Sequence, residues 1–310
     1  MRITVKFLGK AVTSLVLAFC WVLSAQADGF KVVDSLGEQM LPAMPTRPAV
    51  LDWDLFEQVV ELGVTPVAGT DMDSYQDWVV KPAIPAATQP VGTRGEPNLE
   101  KIAALKPDVI LVTKSQQDLI PRLKQIAPVL FYTNFSAKDD EAEVAIQQFK
   151  QLAQVFGKQA VAEQKLSALD KRFDELKAQL QDKFGQTMPK TLVMRFANTT
   201  STFIYTDKSM ADYVIQRLGL TPAMPLPASK WGIVQKPISD LKNVDGYVLY
   251  ILPFNEEKKL QKSVLWRAMP FVRMHKVNSV ESVWSYGGAM SLQYTAEAIT
   301  KALLEVAPNS

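Results

Sequence analysis

Apolar residues fall into two unlike regimes along this chain. At the start, Arg2, Lys6 and Lys10 precede a mostly apolar stretch over residues 11–23, and Ala25-Gln26-Ala27 follows it with small side chains. A basic start, a short apolar stretch and a small-residue end mark a cleavable export signal. Residues 1–27 are therefore set apart from the fold, with cleavage expected after Ala27 and export to the periplasm implied. The stretch is short of the roughly 20 residues that cross a bilayer.

From Arg47 onward the pattern alternates between strand-like runs and helical periodicity. Residues 48–52 read as a strand, while Leu55, Phe56, Val59, Val60 and Leu62 form one helix face stopped by Gly63; residues 65–69 read as a second strand. The rhythm continues with a strand over 89–92, a helix carrying Leu99, Ile102 and Leu105, and a strand over 108–113. A helix through Leu119, Leu123 and Ile126 and a strand over 129–132 complete it. Near-continuous apolar strands flanked by helices predict a mostly parallel sheet buried on both faces.

After Phe135 the pattern is helical for almost fifty residues, broken at Gly157. Residues 158–184 place Leu166, Leu169, Phe173, Leu176 and Leu180 on one stripe, predicting a single helix of about 40 Å. Strands return over 191–197, 202–205 and 246–252, and a last helix carries Leu292, Ala296, Ile299, Leu303 and Val306. The expected fold class is α/β: an N-terminal lobe over 28–157, a connecting helix over 158–184 and a C-terminal lobe over 185–310. The lobes are Rossmann-like, with mostly parallel sheets. No Gly/Ser-rich linker separates them, and a stiff connector implies small lobe motion.

Composition narrows the chemistry. The chain carries 34 basic and 32 acidic residues; losing Arg2, Lys6 and Lys10 leaves 31 against 32, so the exported chain is near neutral and nucleic acid is not an expected partner. Cys20, the single cysteine, lies in the leader, so no disulfide or thiolate is available afterwards. There is no Gly-x-Ser-x-Gly elbow, His-Glu-x-x-His or phosphate-binding loop, and His275 stands without a relay pattern. An enzyme is not expected, although cleft carboxylates remain open to that reading.

The run Val91-Gly-Thr-Arg-Gly-Glu-Pro-Asn-Leu-Glu100, followed by Ile102-Ala-Ala-Leu-Lys-Pro-Asp-Val-Ile-Leu111, resembles the substrate-binding proteins of iron-siderophore ABC importers. Trp266-Arg-Ala-Met-Pro-Phe-Val-Arg273 and Val283-Trp-Ser-Tyr-Gly287 extend the likeness over nearly the whole exported chain. Trp53, the segment from Tyr75 to Trp78, Ser229-Lys-Trp-Gly232 and Trp284-Ser-Tyr286 resemble the ferric-hydroxamate-binding branch in particular. The resemblance implies two lobes bridged by one long helix, a shallow cleft, a ferric siderophore as ligand and an inner-membrane ABC permease as partner, with the protein a monomer.

It further implies that Arg94 hydrogen-bonds hydroxamate oxygens and that Trp53, Trp78, Trp231, Trp284 and Tyr286 form aromatic walls. Gln116 stands in a segment where the branch usually offers an aromatic residue, and is read as a hydrogen-bonding substitute. Glu100 and Asp240, near predicted helix starts, match the two carboxylates that dock on the permease. The protein supplies no metal ligand and needs no cofactor, because the siderophore already fills the iron's coordination shell. Arg195 reads either as a second cleft cation or as a solvent-facing strand end, and Tyr205 either reaches the pocket or lies in a buried strand. Another iron chelate, such as a catecholate or ferric citrate, as well as haem or a corrinoid, stays open as the ligand, as does an exported enzyme using cleft carboxylates.

Overall fold

The computed structural model describes residues 29–133 and 138–308. The predicted leader and its cleavage site lie outside them. Helices and strands follow in the order β1 (Phe30–Asp34), β2 (Gly37–Leu41), β3 (Pro48–Val50), α1 (Trp53–Glu61), β4 (Ala68–Gly69), α2 (Met72–Trp78) and β5 (Gln89–Pro90). Next come α3 (Leu99–Ala104), β6 (Val109–Val112), α4 (Ile120–Leu123), β7 (Val129–Phe131), α5 (Glu141–Val155) and α6 (Gln159–Phe184). The second half holds β8 (Lys190–Phe196), β9 (Ser201–Tyr205), α7 (Met210–Arg217), β10 (Thr221–Pro222), β11 (Ile233–Pro237) and β12 (Tyr247–Ile251). It ends with α8 (Glu257–Lys262), α9 (Val264–Ala268), α10 (Pro270–Arg273), β13 (Val277–Val280) and α11 (Ala289–Glu305).

The first sheet, ordered β5-β4-β3-β6-β7, is parallel throughout, as its unbroken apolar strands predict. The second, ordered β11-β9-β8-β12-β13 with β10 beside β8, is mixed: β8, β9 and β11 pair antiparallel, and the remaining pairs are parallel. A short turn after β8 returns the chain directly as β9, whereas a parallel neighbour needs a long crossover. An additional hairpin, β1-β2, precedes the first sheet and is tied to its edge where Asp34 accepts the Phe131 N–H at 2.9 Å.

Helix α6 has 26 residues, about 39 Å, and buries Ala162, Leu169, Phe173, Leu176 and Leu180. That stripe joins a core drawing on both lobes, including Phe56 of α1, Phe149 of α5, Leu249 of β12 and Ile299 of α11. Two smaller cores sit on the outer faces of the sheets, one of them holding Trp266 against Phe196 and Phe271.

The helix expected through Leu119, Leu123 and Ile126 and the helix start expected near Asp240 come out differently. Lys114–Leu119 and Ile238–Asn243 are 3-10 turns, and α4 ends at Leu123 rather than continuing through Ile126. Pro121 has no N–H to donate back to Gln117, which interrupts an α-helical ladder across that segment.

Candidate functional site

The C-terminal ends of the parallel strands in the first lobe open towards the second lobe. β3 leads to Asp52, β6 to Lys114 and Ser115, and β7 to Thr133; Arg94 follows β5. Open α/β sheets place ligands at this edge. The second lobe contributes Lys230 and Trp231 ahead of β11, and Trp284 and Tyr286 ahead of α11. Together with Asp54, these residues line a cleft of about 510 Å³.

Arg94 is among them. Its Cζ lies 3.7 Å from the ring centroid of Trp53 and 5.9 Å from that of Trp284. Asp71 accepts both the Arg94 backbone N–H at 2.9 Å and its Nε–H at 3.2 Å, and Asp52 lies 3.8 Å from Nη1. Asp71 adopts φ +52, which Asp tolerates better than most residues. Asp52 caps α1 through Trp53 N–H at 2.9 Å and accepts the Thr113 hydroxyl at 2.6 Å, so it is fixed by two further contacts. The guanidinium is thereby clamped flat on Trp53 while keeping donors beyond those that Asp71 uses.

Gln116 lies behind this platform, fully buried, and not on the cleft. Its Oε1 accepts the Thr113 N–H at 3.1 Å and its Nε2 donates to the Arg94 carbonyl at 2.8 Å. Its role as a ligand donor is corrected to one of holding the Arg94 loop, because the side chain is fully enclosed and both ends of its amide bind the protein. Trp53 is also one layer down: it is buried, donates Nε1–H to the Thr70 carbonyl at 3.0 Å, and meets Trp284 edge-on at 4.9 Å. It therefore supports the wall from below. Trp284, Tyr286 and the half-exposed Trp231 line the cleft directly.

Residues 49–282 match the periplasmic binding protein family. This chain belongs to that family. The crystal structure of a Fe3+-Desferal-bound siderophore-binding protein, FhuD from Vibrio cholerae, is 61% identical, with a TM-score of 0.84 over 85% of this chain and 99% of that one. The iron(3+)-hydroxamate-binding protein FhuD of Escherichia coli K12 is 25% identical, covering 84% of this chain and 87% of that protein. An achromobactin-binding periplasmic protein of Dickeya dadantii is 30% identical, covering 80% and 82% respectively.

In this binding protein Trp78 stands apart from the main cleft, partly buried, with the Arg195 Cζ 5.7 Å from its ring. Arg195 also lies 5.4 Å from the Phe203 ring and 5.9 Å from that of Tyr286, so it is enclosed by aromatic residues of both lobes and does not face solvent as a strand end. Its Nε–H meets no acceptor among the described residues. Burial raises the Tyr286 hydroxyl well above its ordinary range and the Tyr205 hydroxyl above its own, and the Arg195 charge opposes that rise in both. Tyr205 is buried and donates its hydroxyl to Ser285 at 2.6 Å, fastening the 284–286 segment from behind.

Glu100 is exposed in the first turn of α3, where Asn98 supplies the cap by accepting the Lys101 N–H at 2.9 Å. Asp240 is exposed in the second 3-10 turn, so neither carboxylate is consumed by capping. Sequence reasoning missed Asp71, Lys114 and Lys230. Lys230 was recoverable as the neighbour of Trp231; Asp71 carried no signal, since a lone Asp before a helix reads as a cap.

Proposed function

We propose that this protein captures a ferric hydroxamate siderophore in the periplasm and hands it to an inner-membrane ABC permease, performing no chemistry on it. The observation that carries the reading is the 61% identity, over 85% of the chain, with a protein whose structure holds Fe3+-Desferal. The cleft chemistry agrees. Three hydroxamates neutralise ferric iron, giving a bulky complex with an oxygen-rich centre and an apolar skeleton. Aromatic walls suit the skeleton, and a guanidinium held flat presents paired donors to the oxygens. Iron is cargo here, carried within its own chelate.

A second reading, a more anionic chelate such as a ferric catecholate or ferric citrate, draws support from Arg195, a second cation whose Cζ lies 5.9 Å from the ring of Tyr286, itself on the cleft. Titration of intrinsic tryptophan fluorescence with ferric hydroxamates, a ferric catecholate, ferric citrate, haem and cobalamin distinguishes the two, using Arg94→Ala and Arg195→Ala alongside the parent protein. Saturable quenching by hydroxamates that weakens in Arg94→Ala supports the first reading. Quenching by catecholate or citrate alone, lost in Arg195→Ala, replaces it with the second, and no quenching by any of them sinks the transport role.

A further inference from the structure

Helix α1 meets α11 along one face, and the residues on it recur every fourth position. Trp53, Glu57 and Glu61 share one side of α1. Each reaches across: Trp53 packs against Trp284, and Glu61 accepts the Tyr294 hydroxyl while pairing with Lys165 of α6 at 2.5 Å. Between them Glu57, 1% exposed, accepts the backbone N–H of Gly288 and the hydroxyl of Ser291, whose Oγ lies 2.8 and 2.9 Å from its two oxygens.

Gly288 begins α11 and offers no side-chain cap, and the first turn of α11 holds no acid. A helix start leaves N–H groups unpaired at its positive end, so an acidic acceptor is favourable there. Here the other lobe provides it. The approach is close: a Cβ on Gly287 would sit 2.7 Å from the Glu57 Oε1 and 2.2 Å from the Ser291 Oγ. Burial pushes the Glu57 carboxyl well above its usual range, opposed by the Gly288 and Ser291 hydrogen bonds; a carboxyl oxygen accepts from Gly288 with or without the proton. Directly before this anchor stand Trp284 and Tyr286, the wall that faces Arg94.

We infer that Glu57 is a positioning residue for the cleft: by fastening the start of α11 to α1 one turn beyond Trp53, it holds the wall of Trp284 and Tyr286 against the Arg94 platform and tunes chelate affinity without touching the chelate. This deepens the ligand reading above and rests on it.

The test compares Glu57→Met, which keeps the length but removes the acceptor, with Glu57→Gln, which keeps one acceptor oxygen. Ferric desferrioxamine B is the probe, titrated where each variant is fully folded, and the Trp53–Trp284 exciton signal in circular dichroism reports the wall without ligand. Glu57→Met is expected to weaken binding by about tenfold and diminish the exciton signal, with Glu57→Gln recovering both to within about threefold of the parent. Unchanged affinity in folded Glu57→Met, or weakened affinity with the exciton signal intact, overturns the inference. If Glu57→Met does not fold, Ser291→Ala, which removes one donor and leaves the backbone contact, carries the same comparison. If the parent protein does not bind the probe, the ligand reading falls, and the exciton signal alone decides the positioning role.

Discussion

The guanidinium of Arg94 lies 3.7 Å from the ring centroid of Trp53, pinned there by Asp71 through both its backbone and its side chain. A flat cation on an indole face, with its Nε–H already taken, directs its other donors in a fixed plane. Arg94→Lys keeps the charge and loses both the fork and the stacking. The expected result is a loss of about tenfold or more in ferric hydroxamate affinity by fluorescence titration, with little change in melting temperature. Equal affinity in the two proteins would mean that charge alone is what the ligand reads.

Gln116 acts on the same platform from the protein interior. Gln116→Ala leaves the Thr113 N–H without its side-chain acceptor and the Arg94 carbonyl without its 2.8 Å donor. A loss of about 1–3 kcal/mol in urea unfolding is expected, together with weaker ligand binding as the Arg94 loop loosens. A variant with parental stability and affinity would remove Gln116 from the site's support.

Space at the head of α11 sets the next prediction. A Cβ on Gly288 would lie 2.0 Å from the Gln58 Cγ, whereas one on Gly95 meets nothing within 4 Å. Gly288→Ala should cost about 1–3 kcal/mol by overpacking the junction, and Gly95→Ala should be near neutral. Equal unfolding midpoints for the two would show that α1 yields easily at this point.

Glu141 makes stability depend on pH. It is buried beneath the Trp231 loop, where a Cβ on Gly232 would lie 2.5 Å from its Oε1, and burial raises its carboxyl to about 7, against the Met210 N–H that lowers it. The folded state then binds more proton than the unfolded state between about pH 4.5 and 7. The contribution is full below that window and is lost as pH rises through about 7, by about 3 kcal/mol at roughly 1.4 per unit. Unfolding free energies at pH 5 and 8 should differ less in Glu141→Gln than in the parent; burial also raises Glu57 and Asp212, which leaves a residual slope. An unchanged slope in Glu141→Gln would assign the dependence to those groups instead.

Glu100 and Asp240 are exposed, one on each lobe. Reversing both to Lys should abolish siderophore uptake by cells while the purified protein still binds its ligand. Uptake that survives the double reversal would dismiss these two carboxylates as the docking points.

Much of the architecture was legible because periodicity is a local signal. The stripe from Leu169 to Leu180 announced α6, and the unbroken apolar strands announced the parallel first sheet, whose β3, β6 and β7 are buried throughout. The alternation of Thr202 and Ile204 is silent about strand direction, and the signal for the antiparallel return of β9 on β8 lay instead in the four-residue gap between the strands read over 191–197 and 202–205, too short for a parallel crossover. At the site, Arg94, Trp231, Trp284 and Tyr286, far apart in the chain, line one cleft.

Residue identity by itself determined most of the alternation of strands and helices from β3 to α6 and the last helix, the near-neutral charge, the absence of any cysteine after Cys20 and the loop that carries Arg94. Tertiary structure alone decided that Gln116 turns inward to the Arg94 carbonyl, that Trp53 lies beneath the guanidinium, and that Arg195 sits among Trp78, Phe203 and Tyr286. The reason is range. A helix face is set by neighbours three or four positions apart, whereas Glu57 and Gly288 are 231 positions apart, and whether a polar side chain faces ligand or backbone depends on which distant donor fills its hydrogen bonds first.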